Sequence, residues 1–196
     1  MRRTRITWLV LGVLLGAVLV AANAVASHPR AKIVRWDLVE PANGVAVAGG
    51  EDVATDRTTG ESITLTGSGH VRPRSHEAFG GGTFVHEDIN GNEIASGSYH
   101  VTGFVGFQRL RGGDFGATGL IDGIGDPDEA SSGIMTVKIR FRAEGSTTGI
   151  DAVMEVHCNL PGTVNPTFEG VRLTIGGQTF EPDPQRHGLT LFHVMR

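Results

Sequence analysis

The sequence predicts an all-β domain. Three observations carry that reading. Runs rich in Val, Ile, Thr and Phe alternate with clusters of Gly, Asp, Asn and Pro. No amphipathic segment of helical period stands outside the first 26 residues. Glycine is abundant, at 29 of 196 residues, without a collagen-like period, so it marks turns and bends within a sheet.

The strands are read in chain order. Lys32 to Val39 is the first. Pro41 to Gly60 reads as a loop with one short strand at Val45 to Ala48. Ser62 to Val71 alternates Ile63 and Leu65 with Thr64 and Thr66, then meets Gly67 and Gly69, and Pro73 ends it. Gly82 to His86 follows. Asn90-Gly91 predicts a two-residue type I′ turn, because both central positions of that turn need positive φ. In Ser98 to Leu110, strict alternation puts Tyr99, Val101, Val105 and Phe107 on one face and His100, Thr102, Phe104 and Gln108 on the other. A turn at Gly112 to Ala117 leads to a short strand at Thr118 to Ile121 and an acidic loop at Asp122 to Ser132.

Ile134 to Cys158 is the clearest hairpin. A loop at Glu144 to Gly149 sets Ala143 opposite Ile150. Phe141 then meets Ala152, Ile139 meets Met154, Val137 meets Val156 and Met135 meets Cys158. The other face pairs Arg142 with Asp151 and Lys138 with Glu155, and places His157 opposite Thr136. A slip by one residue would reverse both faces. Leu160 to Phe168 is a proline-containing loop. Glu169 to Gly176 turns through Gly176-Gly177 into Gln178 to Glu181, with Leu173 opposite Phe180. Leu189 to Val194 is the last strand. Eight to ten strands at this spacing form one antiparallel β-barrel or β-sandwich. Glycines 67, 69, 103 and 106 inside strands favour the barrel, since closure needs bends.

The first 26 residues carry an export signal: Arg2, Arg3 and Arg5, an apolar run from Trp8 to Ala22, and two small-x-small cleavage sites ending at Ala24 and Ala26. Residues 1–26 are thus read as a signal peptide and residues 27–196 as a single all-β domain, secreted or held at the cell surface and free of the membrane after cleavage. Without the three signal arginines the chain holds 14 basic and 21 acidic residues, which argues against nucleic acid or an anionic membrane as partner. The expected partner is an extracellular ligand or protein. Cys158 is the only cysteine, so no internal disulfide forms; its place on the apolar hairpin face predicts a buried thiol.

The motifs for common chemistries fail. No serine has the flanking glycines of a nucleophile elbow. His76-Glu77 and His86-Glu87 lack the second histidine of a zinc protease. Asp88-x-Asn90-x-Asn92 starts like a calcium loop, but Glu93 replaces the required glycine and Tyr99 the closing carboxylate, which leaves a hairpin turn. Asp122, Asp126, Asp128 and Glu129 offer four carboxylates within eight residues, the candidate calcium ligands, although a solvated loop is the default for such a cluster. His86, His100 and His157 would suit a transition metal only on one shared face, and Glu87 with Glu155 is a candidate carboxylate pair. No cofactor is expected.

Gly80-Gly81-Gly82-Thr83-Phe84, the run Gly97 to Phe107, and Val156 to Leu160 ahead of Glu169-Gly170-Val171 together resemble uncharacterised secreted bacterial all-β proteins. The glycine-rich strands alone are similar to the allene oxide cyclase type of barrel. Neither resemblance implies site residues. The expected function is a non-catalytic binding or structural module. The alternative is a small barrel lyase, isomerase or hydrolase working from His86 or His100 with Glu87.

The hairpin faces make a prediction. Ile139→Ala should cost about 2–5 kcal/mol by opening a core cavity, whereas Arg140→Ala should barely move the denaturation midpoint. Chemical denaturation of both variants checks it; equal losses would mean that the faces are misassigned.

Overall fold

The computed structural model describes residues 33–186 and 188–195. The signal-peptide assignment, and with it Lys32, His28 and His187, lies outside those residues. Fourteen strands follow in order: β1 (Ile33–Ala42), β2 (Val45–Ala48), β3 (Glu51–Thr55), β4 (Ser62–Thr66), β5 (Ser68–Arg72), β6 (Glu77–Glu87), β7 (Glu93–Arg109), β8 (Ile121–Asp122), β9 (Ala130–Ser131), β10 (Gly133–Ala143), β11 (Ile150–Cys158), β12 (Gly170–Ile175), β13 (Gln178–Pro182) and β14 (Leu189–Met195). Eight of them close an antiparallel barrel in the order β4-β3-β13-β12-β11-β10-β7-β6, and β6 returns to β4. The outer strands β5, β1, β14 and β9 continue from the other half of β6.

Closure depends on β6 having two partners on one edge. Its C-terminal half pairs with β4 and its N-terminal half with β5. The single predicted strand Ser62 to Val71 therefore breaks at Gly67, and its second part leaves the barrel. Glycines make the crossing physically possible. A Cβ at Gly82 would run into the Thr66 carbonyl, and one at Gly67 would meet the Tyr99 hydroxyl. Tyr99 Oη in turn donates to the Thr66 carbonyl at 2.9 Å. Gly69 and Gly80 leave room for the buried indole of Trp36 on β1.

The lumen is filled. Leu65, Met135, Ile139, Met154 and Leu173 have no exposed surface, and Phe107 meets Phe192 edge-on at 5.4 Å to join barrel and outer sheet. The weakest seam is β13 to β3. Only Glu181–Thr55 and Pro182–Ala54 pair there, and Pro182 has no N–H to give. Side chains reinforce it: Thr55 Oγ1 donates to Asp183 Oδ2 at 3.0 Å.

Several sequence expectations need correction. The barrel holds eight strands, within the expected eight to ten, and outer strands bring the described residues to fourteen; Glu51 to Thr55 is a strand that was not expected, and the Ser62 to Val71 run divides. The hairpin register is shifted by two: Ile139 faces Ala152, Val137 faces Met154, Met135 faces Val156 and Gly133 faces Cys158. Arg142 and Ala143 keep pairing with β7 while leaving β11, so the loop starts earlier than expected. An even shift preserves the faces, and the apolar face is buried. On the other face Arg140, not Arg142, meets Asp151 in a bidentate pair at 2.7 and 2.8 Å, and Lys138 faces Val153. In β7 two bulges skip Thr102 and Val105, so Phe104 turns inward and Val105 outward. Asn90 does not have positive φ. A turn from Asp88 to Gly91 closes that hairpin, with Gly91 left-handed and Asp88 Oδ1 accepting from the amides of Asn90 and Asn92. The expected turn at Gly112 to Ala117 extends through a 3-10 turn at Gly116–Thr118, and the short strand after it is Ile121–Asp122 rather than Thr118 to Ile121.

Two glycine variants test the seam. Gly82→Ala should destabilise the protein by roughly 1–3 kcal/mol or more, because the added methyl meets backbone. Gly106→Ala, with open space around its Cα, should be close to neutral. Thermal melts compare them; a neutral Gly82→Ala would remove the close approach as a requirement for closure.

Candidate functional site

The barrel has two different ends. Four hairpin loops ring one of them: Asp56–Glu61, Asp88–Asn92, the β10–β11 loop and Gly176–Gly177. Inside this mouth lies a pocket of about 260 Å³ lined by Ile63, Phe84, Phe141, Ile150, Ile175 and Phe180, with Ala95 and Ala143 at its side. Each liner is set by strand alternation. Ile63 pairs with His86 and Leu65 with Phe84 across the closing seam, so β4 and β6 deliver these side chains together. Ile150 remains 62% exposed at the rim, an uncovered apolar residue where the pocket opens.

Two polar side chains line the pocket, His86 and Gln178. Both are backed by carboxylates. His86 Nε2 lies 3.2 Å from Glu61 Oε2. An ionised carboxylate only accepts, so in the neutral imidazole this contact puts the proton on Nε2 and leaves Nδ1 as an acceptor. Gln178 Nε2 points at Asp56 Oδ2 at 3.5 Å. Asp56 is nearly buried, and its Oδ1 accepts from the amides of Thr58 and Thr59.

The other candidates named from sequence separate in space. Glu87 turns to Ser62 Oγ at 3.4 Å. His100 is exposed on the outer wall, opposite Arg140. His157 faces Ile134, not Thr136, and is buried rather than solvated, because the loop after β11 folds over it. Its ring stacks on Phe168 at 3.7 Å and its Nδ1 meets Thr167 Oγ1 at 2.8 Å. Burial lowers the His157 pKa despite nearby Glu155, which itself pairs with Arg172 at 3.1 Å. His86, His100 and His157 thus do not share a face. Asp122 is tied to the buried His193 at 2.7 Å; burial opposes its charge, but this bond and the amides of Ile124 and Gly125 outweigh it and lower its pKa. Asp126 caps the turn Pro127–Glu129 through the Asp128 amide, and Asp128 is exposed and Glu129 half-buried. Among the described residues no three His, Cys, Asp or Glu side chains converge as a metal site.

At the opposite end a cavity of about 450 Å³ touches Cys158, Asn159, Glu169 and Thr190. Its chemistry is muted. Burial and the Glu169 charge push the Cys158 thiol up, which makes it a poor nucleophile. Glu169 accepts from the amides of Asn159 and Thr190 and from Thr190 Oγ1, pinning the β11–β12 loop to β14. Behind it Asp52 is fully buried, facing the backbone amides of Val171, Gly188 and Val53. Burial, with the charge of Glu169 adding to it, raises its pKa to about 7.

No family model, curated protein or solved structure matches the chain. The site therefore rests on its geometry.

The mouth was not legible from sequence. Glu61 and Gln178 stand at strand ends, and only closure brings them to His86 and Phe180. Asp52 was missed with its strand, since an aspartate at an inward position contradicts the pattern that would identify one.

Asp52 gives a pH prediction. Its folded pKa exceeds the unfolded value near 3.9, so the folded state binds the extra proton between about pH 4 and 7, and stability falls as pH rises through that window. Asp52→Asn removes the ionisation. The variant should gain midpoint over the wild type at pH 8, with the gap narrowing steadily and closing near pH 4. A constant gap in urea denaturation across that range would exclude the assignment.

Proposed function

We propose that this protein is an exported, non-catalytic binding module that holds a small apolar molecule in the hairpin mouth of its barrel. The observation that carries the reading is the contrast between a filled lumen and an apolar, concave mouth with two polar liners. Ligand sites have that composition: mostly apolar walls with a few polar groups that fix orientation. An apolar cavity of about 150 Å³ holds benzene, so about 260 Å³ suits one or two fused rings. The basic and apolar segment at residues 1–26 supports export, and the acidic balance of the remainder supports a partner other than nucleic acid.

A barrel enzyme working from His86 is the second reading, and the contact with Glu61 favours it. Proton transfer works best where water is excluded. The His86 and Glu61 side chains keep 23% and 32% of their surface exposed, which suits a binding rim better. Slow solvent exchange of the His86 ring proton by NMR would reverse that preference.

Indole titrated into protein with labelled isoleucine methyls should produce saturable shifts at Ile63, Ile150 and Ile175. Ala95→Phe should abolish them by filling the pocket. Shifts spread over unrelated methyls, or none at millimolar indole, would sink the proposal.

A further inference from the structure

We infer that the mouth selects a hydrogen-bond-donating organic cation, an amine carried on an apolar body of one or two rings. This rests on the mouth being the ligand site. Two independent features point to the charge. The first is the polarity of the liners. The Nε2 of His86 is spent on Glu61, and the Nε2 of Gln178 points at Asp56. The groups left to meet a ligand are His86 Nδ1, an acceptor in the neutral imidazole, Gln178 Oε1, also an acceptor, and one N–H of the Gln178 amide. A ligand that only accepts hydrogen bonds would find a single donor here, the second N–H of the Gln178 amide. A ligand with N–H groups would find two acceptors, each held in orientation by a carboxylate behind it.

The second feature is the field at the rim. The loops and strand ends around the mouth carry Asp56, Glu61, Glu87, Asp88, Glu93 and Glu144 against Arg57 and Arg142, while Arg140 is neutralised by Asp151. This surplus surrounds a low-dielectric pocket, where it concentrates cations and repels anions. Phe84, Phe141 and Phe180 supply rings that accommodate a cation as well as an apolar group. An apolar wall alone would accept any small hydrophobe. The acceptors and the acidic rim turn it into a site for amines.

Three indoles of similar size separate the cases: tryptamine as cation, 3-ethylindole as neutral isostere and indole-3-acetate as anion. Each is titrated into the wild-type protein at low salt and again at 0.5 M salt, with shifts of the Ile63, Ile150 and Ile175 methyls as readout. Tryptamine should bind at least tenfold more tightly than 3-ethylindole, indole-3-acetate should bind more weakly than either, and salt should shrink the amine's advantage. Glu61→Gln should remove most of that advantage and leave 3-ethylindole unchanged. Gln178→Met, which keeps the volume and removes the acceptor, is the second variant should Glu61→Gln fail to fold. Equal affinity for tryptamine and 3-ethylindole would overturn selection for a cation while leaving the binding site standing. An advantage that persists in both variants would overturn it too. If no indole binds, the inference falls together with the binding site.

Discussion

The fold depends on one strand serving two neighbours along a single edge. β6 pairs with β4 to close the barrel and with β5 to start the outer sheet, and the chain between β4 and β5 must change course within one residue. Backbone passes so close to backbone there that Gly67 and Gly82 have no room for a methyl. Conformational freedom is costly in a strand, because glycine gives up more entropy than any other residue. That cost is recovered in what the crossing allows. Gly69 and Gly80 let the Trp36 indole approach the sheet closely, and β1 then brings Val34 and Leu38 into the same core. Burying residues of this size contributes about 1.5–3 kcal/mol each.

The same crossing gives the molecule two unlike ends. Beyond the barrel the outer sheet and the long loops are fastened by polar pins: His193 to Asp122, Glu169 to Thr190, and His157 beneath Phe168 with Arg172 over the same ring at 4.5 Å. Each pin holds a segment with little apolar surface of its own against a layer of the sheet. Charges in such places gain little net stability, yet losing one partner leaves the other buried and unpaired. The titratable groups that look most like chemistry are for this reason already engaged in holding loops. The hairpin end needs no such fastening. Its loops are short and turn on local hydrogen bonds, as in the Asp88 turn, with Asp56–Gln178 and Glu61–His86 as side-chain contacts from loop to strand.

What was legible in the sequence follows from period. Alternation identified the apolar face of β10 and β11, and a register wrong by two residues did no harm because the strand period is two. Alternation failed wherever a residue was inserted. Val105 and Thr102 are skipped in the ladder with β10, so Phe104 takes the inward place assigned to Val105, and the second bulge restores the alternation by Phe107. The glycines that follow them, Gly103 and Gly106, were visible as signs of a bend, but a bend does not say which residue is extra. Asp52 and His157 escaped for a related reason. A polar residue reads as solvent-facing, and only the packed loop or the neighbouring strand shows that water is absent.

The mouth escaped for a topological reason. Ile63 and Phe84 come from strands joined only by ring closure, Phe180 from the far side of the weakest seam, and Phe141 from the central hairpin. No local pattern contains two of its polar groups at once. Glu61 lies 25 residues from His86, and Asp56 lies 122 from Gln178. Pairing each donor with a carboxylate is a consequence of which loops meet when the barrel closes. The polarity that the pocket presents is therefore a property of the closed barrel and not of any segment. A change at the seam that leaves the strands intact but misaligns β4 against β6 would turn His86 away from Glu61, and with that the pocket would lose its orientation before the fold lost its core.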